Sequence, residues 1–333
     1  MGEKKRDVEE YRNWCKENFS GVLCIDEVRD SGRVILFATD SLNDFTIAWK
    51  VNTKNDQLSM DAFLEELKQW GLNPEVVITD GSPLYKDALN KHWKDVEHQL
   101  CIFHIIKDVN KIILDAVRSI KNKISRFGNR GRKRKRGRPR NNRKKKCNDK
   151  KKNLKQQAKF IWQNQHLIVK KKENLTKEDK KKLKEMFEIA PQLKLLRKFN
   201  RQFYKLFEQG ISKKKAYRRW MRMMQNENYQ NDNQIKKTLK MLRKEKFDKM
   251  ITFMEYENLD RTNNHVERNN RTFRMMQKTR YKRRRAKTIE TAIWLDVLRR
   301  WRKNLLQKAS QNKIKLKKKA AIAKIPRAKR KGA

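Results

Sequence analysis

Three acidic residues stand out in a chain that is otherwise strongly basic. Asp26 closes the apolar run that starts at Gly21, Gly21-Val-Leu-Cys-Ile-Asp26. Asp80 closes a second run, Glu75-Val-Val-Ile-Thr-Asp80, and Gly81 follows it. Glu267 lies within Thr262-Asn-Asn-His-Val-Glu-Arg-Asn-Asn-Arg271. Strand-terminal aspartates and a helical glutamate are hard oxygen ligands. Held rigidly, they suit a pair of divalent cations that cut and join phosphodiesters.

Each carboxylate also has an ordinary reading. Asp26 can be a strand-end residue before a turn, with Glu27 as the surface charge. Asp80 can be the aspartate of a β–α turn. Glu267 can be the reciprocal partner of an Asn264 N-cap. Against that last reading, the same helix carries Arg268, Arg271, Arg274 and Lys278 at spacings of three, three and four. Such a stripe suits a phosphate backbone as well as it suits a solvated face.

The elements that must position these groups follow from pattern. Val22–Val28 and Val34–Ala38 flank the turn cluster Arg29-Asp-Ser-Gly32 and predict a hairpin. Phe45–Val51 predicts a third strand. Leu58–Trp70 has helical apolar spacing and stops at Gly71. Val76–Thr79 predicts a short buried strand. Ser82 and Pro83 read as N-cap and first residue of a helix over Leu84–Trp93. Val96–Phe103 predicts a fifth strand, residues 105–120 a helix, and further helices start near Asn264 and span Thr288–Leu306. Ile289, Ile293, Leu295, Val297 and Leu298 are expected near the buried side of the last one.

Composition sets the partner. The chain of 333 residues has 88 Lys and Arg against 38 Asp and Glu, a net charge of +50. That charge repels itself unless a polyanion is bound, and binding by counterion release makes affinity fall steeply with salt. Nucleic acid is the expected polyanion. No apolar stretch approaches the roughly 20 residues of a spanning helix, and the N-terminus reads as charge rather than as a secretory signal. Cys15, Cys24, Cys101 and Cys147 form no C-x-x-C pair and read as reduced thiols.

Between Asn129 and Lys152, 15 of 24 residues are Lys or Arg, which predicts a flexible arm. Within it Arg136, Arg138 and Arg140 form Arg-Gly-Arg-Pro-Arg, narrow enough for an A·T minor groove. A non-specific polycation touching phosphates is the favoured reading of the same run. Residues 154–257 read as an all-α insertion.

The order βββ-α-β-α-β, together with four segments, resembles the DDE transposases with a ribonuclease H-like catalytic domain, among insertion-sequence groups related to Mutator-like and hAT elements. The segments are Val22-Leu-Cys-Ile-Asp-Glu27, Val77-Ile-Thr-Asp-Gly-Ser-Pro-Leu-Tyr85, Cys101-Ile-Phe-His104 and Thr262-Asn-Asn-His-Val-Glu-Arg-Asn-Asn270. The resemblance implies an α/β fold: a mixed five-stranded sheet with helices, interrupted by a large all-α insertion. The implied layout is a helical lead-in at 1–20, a catalytic core at 21–120 and 258–306, a basic segment at 121–153, the insertion at 154–257 and a basic tail at 307–333. Asp26, Asp80 and Glu267 would be the metal triad for Mg²⁺ or Mn²⁺, and Cys101-x2-His104 the C/D-x2-H signature.

His104 is expected to help position DNA, beside the basic stripe of Arg268, Arg271, Arg274 and Lys278. Zinc on Cys101 and His104 lacks a second half at usable spacing, although His92 and His98 lie near in sequence. The implied function is strand cleavage at element ends, then attack of the freed 3′-hydroxyl on target DNA, by a homodimer or higher synaptic oligomer. The expected setting is cytoplasmic and nucleoid-associated, or nuclear in a eukaryote. Two alternatives remain: a non-catalytic nucleic-acid-binding derivative of a decayed transposase, and a ribonuclease H-like nuclease without strand transfer. Relatives usually carry an N-terminal recognition domain, whereas about 20 residues precede the first strand here.

Overall fold

The computed structural model describes residues 2–129, 141–278 and 282–311. The expectations for Arg136, Arg138 and Arg140, and for the tail beyond residue 311, fall outside them. The described residues form two compact units, one drawn from 1–104 and 245–333 and the other from 105–244.

The first unit is built on a five-stranded sheet. Its elements run α1 (Gly2–Asn18), β1 (Val22–Asp30), β2 (Arg33–Asp40), β3 (Phe45–Asn52), α2 (Gln57–Gln69), β4 (Val76–Thr79), α3 (Leu84–His92) and β5 (Glu97–Leu100). The strand order is β3-β2-β1-β4-β5. The β1–β2–β3 meander is antiparallel, and β4 and β5 join parallel. This is the ribonuclease H-like arrangement. The β1–β2 turn places Ser31 and Gly32 at positive φ, 52° and 72°. That is the two-residue geometry whose twist matches the flanking strands.

The first five residues of β1 are all buried, so both faces of the sheet are covered there. α1 contributes Tyr11 and Cys15 to the same core, and Phe19 just after it adds a third side chain. The buried Asp40 carboxylate, at the β2–β3 turn, accepts from the Ser20, Leu42 and Asn43 amides and the Ser20 hydroxyl.

Two expectations at β5 are corrected. The strand stops at Leu100, and α4 (Ile102–Asn129) begins at once. Cys101 N still donates to Thr79 O at 2.8 Å, but Ile102 N turns to Arg261 O at 3.0 Å, which ends the ladder. The edge of β5 is closed by the returning chain: Gln99 donates to Met250 O and accepts from Phe253 N.

The second unit holds most of α4, then α5 (Asn141–Gln163), α6 (Lys177–Ile189), α7 (Gln192–Lys205), α8 (Lys213–Met224), α9 (Glu227–Asn231), α10 (Asn233–Met241) and the start of α11 (Lys244–Met250). It has its own core, with Phe199, Phe203 and Tyr229 fully enclosed. Thr176 and Asp179 form a reciprocal capping box at α6. The flexible arm expected over Asn129–Lys152 is helical from Asn141 on. No Gly or Pro follows Pro139 there, and Lys and Arg are good helix formers.

α12 (Asn264–Gln277) and α13 (Ala286–Gln311) return to the first unit; α12 packs on β1 and β2, and α13 on β3. On α13, Ile289, Ile293, Val297 and Leu298 are buried as expected, but Leu295 is 57% exposed and Trp294 takes its place. Residues 289, 293 and 297 share a face at i+4 spacing, and 295 lies on the opposite side.

Candidate active site

The parallel pairing of β1 with β4 sets Cys24 beside Ile78. Two residues further along each strand, Asp26 stands abreast of Asp80. Asp80 sits just past the end of β4 at Thr79, whereas Asp26, expected at a strand end, lies in mid-strand, because β1 runs on to Asp30 paired with β2. Side chains at matching positions of adjacent strands share a face, so the spacing of the two apolar runs brings the two carboxylates together.

Asp26 is buried at 7% exposure. Its Oδ1 accepts from Glu27 N at 2.9 Å and its Oδ2 from Asn270 Nδ2 at 2.8 Å. Asp80 Oδ1 accepts from Ser82 N at 2.8 Å. That bond replaces the expected Ser82 cap: Pro83 precedes α3, with no side-chain cap.

A third carboxylate joins them, one whose place in the sequence pattern suggests a surface charge. Glu27 turns to the other side of β1, where Tyr85 of α3 donates to Oε2 at 2.6 Å and Asn55 donates to Oε1 at 3.1 Å. One oxygen from each of Asp26, Glu27 and Asp80 lies within 4.8 Å of the others. Among the described residues this is the one acidic, His or Cys group that close. A signal existed in the acidic pair Asp26-Glu27 directly after the apolar run Val22–Ile25, but strand alternation argued against using both.

Glu267 lies outside that close set. It occupies the first turn of α12, and its Oε1 is 3.6 Å from His104 Nε2. It is one turn N-terminal to Asn270, the residue that touches Asp26. Rows of residues three apart share a helix face, so Glu267 looks toward the same end of the sheet. The capping-box alternative is corrected. Asn263, not Asn264, precedes the helix and makes no side-chain cap. Its side chain is engaged elsewhere: Cys101 Sγ lies 3.0 Å from Asn263 Oδ1 and accepts from Asn263 N at 3.4 Å.

The Cys101-x2-His104 segment therefore touches the Glu267 helix twice. Cys101 grips Asn263, the residue just before its first turn, and His104 faces the glutamate. Among the described residues neither lies in a group of three or more possible metal ligands. His98 is bonded to Thr79 and Lys249, and His92 to Glu65.

The rest of α12 is pinned by polar contacts on its buried face. Asn269 donates to Thr39 Oγ1 at 2.9 Å and Gln277 to Asp30 Oδ2 at 3.0 Å. At the start of the helix, His265 is clasped between Asp44 (2.7 Å) and Asp260 (3.0 Å). Burial works against its charge, but the two carboxylates outweigh burial and lift its pKa to about 9. Arg268, Arg271, Arg274 and Lys278 are all exposed. Arg268 pairs with Asp44 at 2.9 Å.

The electrostatics of the cluster are unusual for this chain. Every donor to Asp26 and Glu27 is neutral, and no Lys or Arg pairs with either among the described residues. Burial first, then the charges of Glu27 and Asp80 and, more weakly, Glu267, push Asp26 up to about 7. All the donors are carboxylate oxygens, the set that Mg²⁺ and Mn²⁺ prefer. The residues present fit a divalent cation.

Residues 23–293 match the family model described as transposase, of the DDE type and ISL3 group. The match spans most of the chain, and the chain belongs to that family. No curated protein matches the sequence. Among the described residues, no helix is long and apolar enough to cross a membrane.

Proposed function

We propose that this transposase cuts and joins DNA at one divalent-metal site formed by Asp26, Asp80 and Glu267, with Glu27 as an additional carboxylate. The observation that carries the reading is the cluster of three carboxylates within 4.8 Å of one another, without a basic neighbour on Asp26 or Glu27, in a chain of net charge +50. When bound, Mg²⁺ or Mn²⁺ would supply Lewis-acid stabilisation of an in-line phosphoryl transfer and activation of the attacking hydroxyl.

The protein's own part is placement. The sheet holds Asp26 and Asp80 abreast, Asn270 fixes the carboxylate plane of Asp26, and Tyr85 and Asn55 fix that of Glu27. The Cys101–Asn263 grip and the His265 clasp hold the first turn of α12, and with it Glu267. His104, beside Glu267, would meet the scissile phosphate. Arg271, Arg274 and Lys278 extend the same helix as an exposed basic stripe and would hold the backbone in register.

Two displacements follow at this site. Water attacks the phosphorus at an element end, and the bond to the 3′ oxygen breaks, leaving a free 3′-hydroxyl. That hydroxyl then attacks a target phosphodiester, forming one bond as the target strand opens. Neither step needs a covalent protein intermediate. Cutting two ends together calls for a dimer or a higher synaptic oligomer.

The test uses the purified full chain, Mn²⁺ and DNA carrying the element's ends. Cleaved and joined products are expected from the wild type and neither from Asp80→Ala. Undiminished nicking by Asp80→Ala would refute the site. Cleavage without joined products would favour the nuclease reading, and salt-sensitive binding without cleavage the non-catalytic one.

A further inference from the structure

We propose that Lys249, His98 and Thr79 form a one-way hydrogen-bond chain that sets the position of Asp80, which makes His98 a positioning residue for the carboxylate cluster. The proposal rests on the metal-site reading above and extends it to a residue outside the site.

The direction of every link is fixed by chemistry. An ammonium only donates, so Lys249 Nζ, at 3.3 Å, gives a proton to His98 Nδ1. The ring's remaining hydrogen must then sit on Nε2. It points at Thr79 Oγ1, 2.8 Å away. A carbonyl only accepts, so the Thr79 hydroxyl donates its one hydrogen onward to the Asp80 carbonyl at 2.8 Å.

The site needs such a device. β4 ends at Thr79, so the Asp80–Gly81 peptide lies past the paired part of the strand. Gly81 adds freedom at that point. The Asp80 carboxylate is tethered at one end by Ser82 N, and the threonine bond tethers its peptide at the other. Enclosure, then the nearby Lys249 charge, keep the ring neutral, with its pKa pulled down to about 3. The chain therefore keeps one tautomer across the working pH range. Lys249 lies on the segment that brings the polypeptide back into the first unit at Glu245. The link thus ties Asp80 to the same returning segment that leads to Glu267.

The test is Mn²⁺ binding to the full-length protein, with the metal-free amide resonances of Asp80, Gly81 and Ser82 followed in parallel. His98→Phe fills the space without the bonds. It is expected to weaken Mn²⁺ binding about 10-fold or more, the usual cost of losing an outer support, and to shift those three resonances. His98→Gln offers a donor and an acceptor on one amide and should recover most of both. Lys249→Met, at a partly exposed position, provides a milder variant if His98→Phe does not fold; a smaller loss in the same direction is expected. Wild-type affinity and unshifted resonances in His98→Phe, or no recovery with Gln, would overturn the proposal. If the wild type itself binds no Mn²⁺, the metal-site reading fails, and the resonances still decide whether His98 positions Asp80.

Discussion

Asp26→Asn should stabilise the metal-free protein while abolishing its metal response. Burial is the origin of the effect. Asp26 is 7% exposed, and its carboxyl is raised from 3.8 to about 7. The folded state therefore holds a proton that the unfolded chain releases between about pH 4 and 7. Stability falls as pH rises through that window and is flat above it. At 1.36 kcal/mol per pH unit, the full rise is worth about 4 kcal/mol at pH 8. That figure is an upper bound, because the neighbours relax.

Asparagine removes the charge and keeps the shape. Its oxygen can still accept from Glu27 N. Its amide nitrogen would face Asn270, whose Oδ1 is buried and unpartnered among the described residues. A half-turn of the Asn270 amide restores the bond. For a unit of this size each kcal/mol moves Tm by roughly 2–4 °C, so a rise of about 10 °C is expected at pH 8 by calorimetry without metal. The difference between variant and wild type should vanish near pH 4. Millimolar Mn²⁺ should raise the wild-type Tm at pH 8 and leave the variant unmoved. A variant less stable than wild type at pH 8, or a difference independent of pH, would refute the claim that Asp26 is a strained, uncompensated carboxylate.

Two other perturbations address different links. Arg271→Ala with Arg274→Ala, both exposed on α12, should weaken DNA binding whatever the sequence and flatten the plot of log affinity against log salt by about 1 for each phosphate no longer neutralised; an unchanged slope in an anisotropy titration would mean the stripe faces solvent only. Phe199→Ala, at a fully buried ring stacked edge-to-face on Tyr229 at 5.2 Å, should cost about 3–5 kcal/mol and melt the helical unit early, with the Mn²⁺-dependent stabilisation of the other unit retained.

Much of the sheet was legible because its signals are local. Apolar β-branched runs, the Ser31-Gly32 turn and Gly71 fix four strands and a helix within a residue or two. The parallel register then makes Asp26 and Asp80 neighbours without any long-range guess. Glu27 was missed for a physical reason. Alternation sends it to the other side of the strand from Asp26, and the pattern does not show that β4 stops short beside it at Thr79. The Cys101–Asn263 grip spans 162 residues, so no window could contain it. Leu100-Cys-Ile-Phe103 reads as one apolar run, and only the Ile102–Arg261 contact decides that the strand has ended. Leu295 was placed by its type, and helical phase placed it better. The lysine run after Pro139 looked like an arm because charge was weighed and propensity was not.

The ordinary readings of the three carboxylates fail unequally, and that inequality decides between them. Asp80 behaves as a β–α turn residue should, with its oxygen on Ser82 N, so alone it argues nothing. Glu267 loses its ordinary role, since Asn263 spends its side chain on Cys101 and no capping box forms. Asp26 has no ordinary role left: it caps nothing, it is buried, and like Glu27 it receives neutral donors only. Two carboxylates whose oxygens lie within 4.8 Å repel by about 3 kcal/mol even at an effective dielectric of 20. A chain with 88 basic residues could have relieved that with one lysine at position 270. It carries an asparagine there instead, which orients Asp26 without neutralising it. In the metal-free protein the proton that Asp26 retains takes up part of that repulsion, and a divalent cation, which carboxylate oxygens suit, would take it up in the proton's place.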